Sequence, residues 1–228
     1  VQLSGNNIKA VAITSSLAHE GKSSMAFRLA KSMASLEKRV LYLDGDIRNS
    51  STQIRYEIMG DKVGLSEYLC GEASKEKIIY HTDDQWMDMI FTGAKAPNPS
   101  ALVSGPLFQD LMQFLKSIYD YVIVDTPPLN VVIDGLLIAK QCDGTVLVVE
   151  SGLTERAQAE KARRQMEYAG INILGAVVNK VRMNERRYGY GYGYGYGNYG
   201  YGYGYGEKES GQKGKGSANR KKNGRSKR

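Results

Sequence analysis

The residues best suited to chemistry lie in one short run, Ser15-Ser16-Leu17-Ala18-His19-Glu20-Gly21-Lys22-Ser23-Ser24. An apolar stretch, Ile8 to Ile13, leads into it, and a helix-compatible run, Ser23 to Leu36, leaves it. A strand, a small polar loop ending Gly-Lys-Ser and a helix make the layout of a phosphate-binding P-loop. Backbone N–H groups at the start of such a helix point at phosphate oxygens, and the helix dipole favours their negative charge. Gly21 lets the main chain approach closely, Lys22 reaches the β- and γ-phosphates, and the Ser23 hydroxyl can ligate Mg2+. Ala18, His19, Glu20, Gly21, Lys22, Ser23 and Ser24 are therefore the candidate nucleotide contacts. One position is irregular: the usual pattern begins with Gly, and Ser16 stands there.

Two further groups of carboxylates follow short apolar runs. Arg39-Val40-Leu41-Tyr42-Leu43 ends at Asp44-Gly45-Asp46-Ile47-Arg48, and Tyr121-Val122-Ile123-Val124 ends at Asp125-Thr126-Pro127-Pro128. A nucleoside triphosphate needs Mg2+ to neutralise its charge, and Mg2+ keeps waters that carboxylates must orient. Asp125 has the placement of a Walker B aspartate, and Ser23, Asp46 and Asp125 form the candidate metal set. Asp44 and Asp46, two apart, can face one side of an extended backbone. One could hold a metal-bound water while the other takes a proton from an attacking hydroxyl, with Asp44 favoured as that base. Taken singly, Asp44-Gly45-Asp46 also reads as a turn and Asp125 as the start of a helix cap. Lys22, Asp44, Asp46 and Asp125 are the candidate catalytic residues. Asn179, after the last apolar run, is an expected adenine contact or else a strand-end turn residue.

The elements that must position these groups alternate along the chain. Gly64 to Leu69 reads as a short helix, and Met87 to Phe91 as a strand near an edge. Pro97-Asn98-Pro99-Ser100 reads as a turn, with Ser100 or Ser104 able to cap the helix that follows from Gly105 to Tyr119. Leu107, Leu111, Phe114, Leu115 and Ile118 give that helix its apolar stripe. Ile133 to Ala139 then suggests a helix, Gly144 to Val149 a strand, Thr154 to Tyr168 a helix and Ile171 to Val178 a final strand. Strands that are continuously apolar rather than alternating are buried on both faces. The expected class is α/β: a doubly wound, mostly parallel sheet of the P-loop NTPase type with a disordered C-terminal tail. Ligands in such sheets sit beyond the carboxyl ends of the strands, which puts the P-loop, Asp44/Asp46 and Asp125 on one rim.

The chain of 228 residues carries a net charge of +7 that is not spread evenly. Residues 207–228 hold nine Lys/Arg and two Glu, leaving 22 basic and 22 acidic residues before them. The basic character belongs to a tail and not to the domain, which argues against a nucleic-acid-binding core. No apolar run has the length of a membrane-spanning helix, and no signal-peptide pattern opens the sequence. Cys70 and Cys142 lack metal-ligand spacing and are expected to be buried small side chains in a reducing compartment. A start at Val1-Gln2-Leu3 reads as a processed or cut fragment, with an N-terminal segment missing. The expected divisions are a P-loop domain over 1–182, a Tyr/Gly-rich segment over 183–206 and a basic disordered tail over 207–228.

From Tyr188 to Gly206 the chain is almost pure Tyr-Gly, with tyrosines at Tyr188, Tyr190, Tyr192, Tyr194, Tyr196, Tyr199, Tyr201, Tyr203 and Tyr205. Its glycines offer no opposing face to pack and are costly to order, so the segment is expected to be disordered. A flexible stretch of this length spans roughly 25 Å root-mean-square, enough to reach a neighbouring subunit. The basic end that follows could meet an anionic lipid or polymer surface, or remain a solvated tail.

Together these motifs resemble the bacterial tyrosine kinases of capsule and exopolysaccharide synthesis. Val40 to Arg48 is similar to their Walker A′ motif and Val122 to Pro128 to their Walker B, and the P-loop matches a family that commonly lacks the leading Gly. Gly64 to Leu69 and Asn98-Pro99-Ser100 are further similarities, so that residues 8–181 are covered. The resemblance implies ATP and Mg2+ as cofactors and autophosphorylation of a C-terminal tyrosine cluster, here the nine tyrosines named above. It implies a transmembrane activator or polysaccharide co-polymerase as partner, and a cytoplasmic enzyme held at the inner membrane face through it. It also implies self-association through an N-terminal helix of Glu-x-x-Arg-x-x-Arg pattern, which would precede Val1. Phosphates of about −1.5 to −2 each would outweigh the tail's positive charge and disfavour association. The family usually has Pro and Gly where this chain has Ala18 and His19. Two other readings use the same residues: a partition or septum-site ATPase that transfers phosphate to water, and a module whose tail binds RNA or polysaccharide.

Overall fold

A computed structural model describes residues 8–49 and 63–181. Seven strands form one sheet in the order β3-β4-β2-β5-β1-β6-β7. They are β1 (Ala10–Ser15), β2 (Val40–Asp44), β3 (Tyr80–His81), β4 (Met87–Ile90), β5 (Tyr121–Asp125), β6 (Gly144–Glu150) and β7 (Ile173–Asn179). All neighbours pair in parallel except β3, which runs antiparallel to β4 at the edge. The helices are α1 (Lys22–Ala34), α2 (Leu65–Leu69), α3 (Lys75–Ile78), α4 (Pro99–Ser104), α5 (Pro106–Ile118), α6 (Asp134–Ala139) and α7 (Arg156–Tyr168).

The continuous apolar runs split between two faces with the period of two that a pleated backbone imposes. Ala10, Leu41, Leu43, Val122 and Val124 face one side, against α5 through Phe108, Leu111, Met112 and Leu115. Val11, Ile13, Val40, Tyr42 and Ile123 face the other, against α1 through Ala26, Ala30 and Ala34. Alanines at every fourth position let α1 lie close on the sheet, and Phe27 beside them meets Tyr42 edge-on at 5.7 Å. A third cluster joins Ala12 and Leu147 to Ala162 and Met166 of α7. Both faces are covered over β1, β2 and β5, whereas the edge strand β7 leaves Gly175, Ala176 and Val178 exposed.

Three expectations change in detail. Pro97 to Ser100 is only partly a turn, because Pro99 begins α4 behind Asn98, where a fixed φ and a missing N–H suit the first helical position. Neither Ser100 nor Ser104 caps α5; Gly105 precedes Pro106 there, while the Ser104 hydroxyl bonds back to the Ser100 carbonyl at 2.8 Å. Cys70 is exposed just beyond α2, because Leu65, Ser66, Tyr68 and Leu69 take the inward positions. Cys142 is half-buried, and burial pushes its thiol pKa up to about 12. Among the described residues no helix is long and apolar enough to cross a membrane. The expectations for residues 183–206 and 207–228, the nine tail tyrosines included, lie outside the described residues.

Candidate functional site

The ends of β1, β2 and β5 meet at one rim because the strands are neighbours in register. Asp44 stands opposite Asp125, and Asp125 opposite Ile13. The pairing runs on beyond the strands: Thr126 N–H donates to the Ile13 carbonyl at 3.1 Å, and Asn130 N–H to the Ser16 carbonyl at 3.1 Å. The loop from Ser16 to Gly21 is thus sewn at its base to the segment after Asp125.

Within the loop the irregular Ser16 is put to use. Its hydroxyl donates to both carboxylate oxygens of Glu20, at 2.8 and 2.9 Å, and Leu17 N–H donates to Glu20 at 2.7 Å. Thr154, ahead of α7, donates its hydroxyl to the same carboxylate. Glu20 is only 1% exposed, so its side chain is an internal brace that turns away from the cleft. Gly21 has φ +97°, and a Cβ there would sit 2.1 Å from the Asn179 Nδ2 atom. Only glycine suits both constraints. Asn179 donates that amide to the Glu20 carbonyl at 3.0 Å, so it reaches the loop from the end of β7. Lys180 follows it and donates Nζ to the His19 carbonyl at 2.8 Å, while pairing with Glu150 at 2.6 Å. His19 itself is exposed at φ +69°, in the left-handed region that ordinarily favours glycine.

Lys22 begins α1, whose N-cap residue, Gly21, offers no side chain to cap the helix. The Lys22 ammonium lies 3.4 Å from Asp46 Oδ2, 3.5 Å from Asp125 Oδ1 and 3.3 Å from Ser23 Oγ. Burial opposes its charge, but Asp125, then Asp46 and Asp44, outweigh that effect and hold its pKa above the ordinary value. Asp125 is 1% exposed, and burial pushes its carboxyl up to about 7, with Lys22 drawing it down and Asp44 raising it. Its Oδ1 is buried without a hydrogen-bond donor, and its Oδ2 receives the Tyr42 hydroxyl at 3.4 Å.

A cation between Ser23, Asp46 and Asp125 would meet Asp125 Oδ1, where the Lys22 ammonium now stands at 3.5 Å. Among the described residues no three carboxylate, imidazole or thiol groups form a closed metal cage. An open set of one hydroxyl and two carboxylates suits a metal that keeps waters and shares a phosphate ligand.

The cleft above these groups encloses about 550 Å³, a size that fits a nucleotide. Of the residues singled out from sequence, Ala18, His19, Gly21, Lys22, Ser23, Ser24 and Asp46 line it. Glu20 and Asn179 brace the loop from behind, and Asp125 lies beneath Lys22. Asp44, favoured from sequence as the base, is 1% exposed and accepts the Asp46 N–H at 3.2 Å, so it does not face the cleft. Arg48, Asn49, Pro127, Pro128, Val131, Val132 and Lys180 also line the cleft, and none of them was among the expected site residues. Arg48 had a signal in its place two residues beyond Asp46; the valines had none.

The family model described as an AAA domain matches residues 8–153. Tyrosine-protein kinase CpsD of Streptococcus agalactiae is 40% identical over 189 residues, which is 83% of this chain and 82% of that protein. Tyrosine-protein kinase YwqD of Bacillus subtilis is 35% identical over 80% of this chain and 77% of its own. The kinase domain of Escherichia coli tyrosine kinase ETK superposes with a TM-score of 0.75 at 31% identity, covering 84% of this chain and 74% of that one. The septum site-determining protein MinD of Pyrococcus horikoshii, complexed with Mg-ADP, superposes at 0.62 with 18% identity over 75% of this chain and 69% of its own, a likeness of fold alone.

Proposed function

The chain belongs to the bacterial tyrosine-kinase family, and on that premise we propose that it transfers the γ-phosphoryl group of ATP to tyrosine hydroxyls of its own Tyr188–Tyr205 cluster. The observation that carries the reading is the gathering of Lys22, Ser23, Asp46 and Asp125 at one cleft, with the buried Asp125 Oδ1 facing the Lys22 ammonium. Lys22 and the first amides of α1 bind the phosphates, and Ala18, His19, Gly21 and Ser24 shape the space around them. Ser23, Asp46 and Asp125 would hold Mg2+, directly or through water, and the metal would neutralise the developing charge.

In the transfer a tyrosine oxygen bonds to the γ-phosphorus, the bond to the bridging oxygen breaks, and ADP leaves. The hydroxyl proton passes to Asp46, the one carboxylate among the described residues lining the cleft, which would then serve the metal through water, while Asp44 fixes Asp46 through its N–H. Lys22 must leave its carboxylate partners to meet the phosphates, which frees them for the metal. Asn179 serves the nucleotide indirectly, by holding the Glu20 carbonyl. Family membership supports a role in capsule or exopolysaccharide synthesis, under a membrane-embedded activator and with self-association.

The test is intact-mass and peptide mass spectrometry after incubation with Mg-ATP and the activator's cytoplasmic segment, beside Lys22→Met. Phosphate on tail tyrosines in the wild type alone is expected. ADP release with no gain in protein mass would overturn the kinase in favour of an ATPase.

A further inference from the structure

Asp46 heads a four-residue turn that Asn49 closes, donating its N–H to the Asp46 carbonyl and to Asp46 Oδ1, both at 3.2 Å. Arg48, inside that turn, sends its guanidinium across to Asp134 at the start of α6. Its Nε donates to Asp134 Oδ2 and its Nη2 to Asp134 Oδ1 at 3.3 Å. The same Nη2 donates to the Ser100 hydroxyl at 3.1 Å, and Ser100, in α4, donates in turn to Asp134. One side chain therefore ties the turn after β2 to two helices.

The burial of the partners sets the strength of this tie. The Asp134 side chain is 0% exposed and the Arg48 side chain 37%. A carboxylate so deep is held by its cation and by hydrogen bonds, and a two-pronged guanidinium fixes direction as well as distance. The chain just ahead of α6 contributes Val131 and Val132 to the same cleft that Asp46 and Arg48 line. The tie thus spans two walls of the cleft.

We propose that Arg48 is a positioning residue for Asp46: by fastening the Asp46–Asn49 turn to buried Asp134, it holds the Asp46 carboxylate in register with Ser23 and Asp125 for the metal. The inference rests on the reading that Asp46 serves the metal. Arg48 acts on Asp46 through the turn, since its guanidinium is committed to Asp134 and Ser100. Its loss should loosen the metal while leaving metal-free nucleotide in place, since Lys22 and the α1 amides are untouched.

The experiment uses the full chain and Mn2+ as probe, titrated by electron paramagnetic resonance at saturating ADP. Binding of a fluorescent ADP analogue in EDTA reports the metal-free nucleotide. Arg48→Lys keeps a charge beside Asp134, so the fold is retained, but cannot reproduce the fork. The double variant Arg48→Met/Asp134→Leu removes both charges and leaves none buried alone. Thermal unfolding checks each, and Arg48→Lys decides if the double variant does not fold. Partners of metal ligands are typically worth about 10- to 100-fold in metal affinity. We expect Mn2+ to bind about 10-fold more weakly, with metal-free ADP affinity within about twofold of wild type. Unchanged Mn2+ affinity, or an equal loss for Mn2+ and metal-free ADP, would overturn the assignment. Asp46→Asn is the control: Mn2+ affinity like wild type there would instead overturn the metal role of Asp46 itself.

Discussion

The two walls of the cleft are held by different means. The P-loop is braced from within its own span, by Glu20 receiving Ser16 and Leu17, with Thr154 and Asn179 adding neutral donors from outside. The turn that carries Asp46 is instead held from a distance, by the ion pair of Arg48 with a helix 86 residues further on. The first wall binds the phosphates with backbone groups, so its shape must be set by the backbone. The second presents a carboxylate whose own charge must be steered, and a charged tether does that. Neutral donors can be lost one at a time, whereas an ion pair with one buried member fails as a unit.

The largest effect should come from cutting the second wall's tether. Arg48→Ala leaves Asp134 buried with Ser100 as its one remaining side-chain donor among the described residues, and breaking such a pair costs about 3–5 kcal/mol. Glu20→Ala leaves only neutral donors unsatisfied, at about 1–3 kcal/mol. Urea unfolding of both variants without nucleotide measures the difference. A smaller loss for Arg48→Ala than for Glu20→Ala would reverse the comparison.

Asp125, on the floor between the walls, sharpens it through pH. Its carboxyl is raised in the folded protein to about 7 from 3.8. The folded state therefore keeps a proton that the unfolded chain releases between about pH 4 and 7. Stability from this group is fully present below pH 4 and is lost as pH rises through 7. Asp125→Asn removes that loss, so at pH 8 the nucleotide-free variant should be the more stable by about 2–4 kcal/mol, with the gap closing toward pH 4. Thermal unfolding at both pH values is the measurement. Mg-ADP should reverse the order at pH 8, because only the wild-type carboxylate can hold the metal. A wild type more stable than Asp125→Asn at pH 8 without ligand would show that the floor is a structural ion pair and not a site kept under strain for function.

Much of this arrangement could be read from sequence, and the reason is local. Strands β1, β2 and β5 are apolar runs that end in Ser15, Asp44 and Asp125, so the rim and its chemistry follow from short windows. The Gly-Lys-Ser run needs only its own neighbours to be recognised. The supports are different in kind. Glu20 looks like a phosphate-loop contact until Thr154, 134 residues away, is seen to donate to it. Asp44 and Asp46 look equivalent two residues apart, but the chain leaves the strand at Gly45, whose N–H bonds to the Asp125 carbonyl, and only Asp46 reaches the cleft. Asp134, a single acid after Val131-Val132-Ile133 and before Leu136-Leu137, carried a signal of burial with a partner. The partner's identity was not in any local window. The two-residue strand β3 is set by its pairing with β4, and no periodicity can mark so short an element.

The smallest effect, and the most direct probe of the first wall, is to restore the missing glycine. Ser16→Gly gives the loop its regular pattern and removes one buried hydroxyl that donates to Glu20. Glu20 would keep the Leu17 N–H and the Thr154 hydroxyl, so the loss should sit near the low end for a hydrogen bond to a charge, about 1.5 kcal/mol. The backbone bond from Asn130 to residue 16 is unaffected by the side chain, and Lys22 and the amides of α1 do not move with it. Nucleotide affinity should therefore stay within about threefold of wild type, read by titration with ADP and Mg2+, while unfolding shifts modestly. A variant that bound nucleotide 10-fold tighter would mean that the serine constrains the loop at the expense of its ligand. The brace at Glu20 would then oppose binding, and the two walls would differ in purpose as well as in construction.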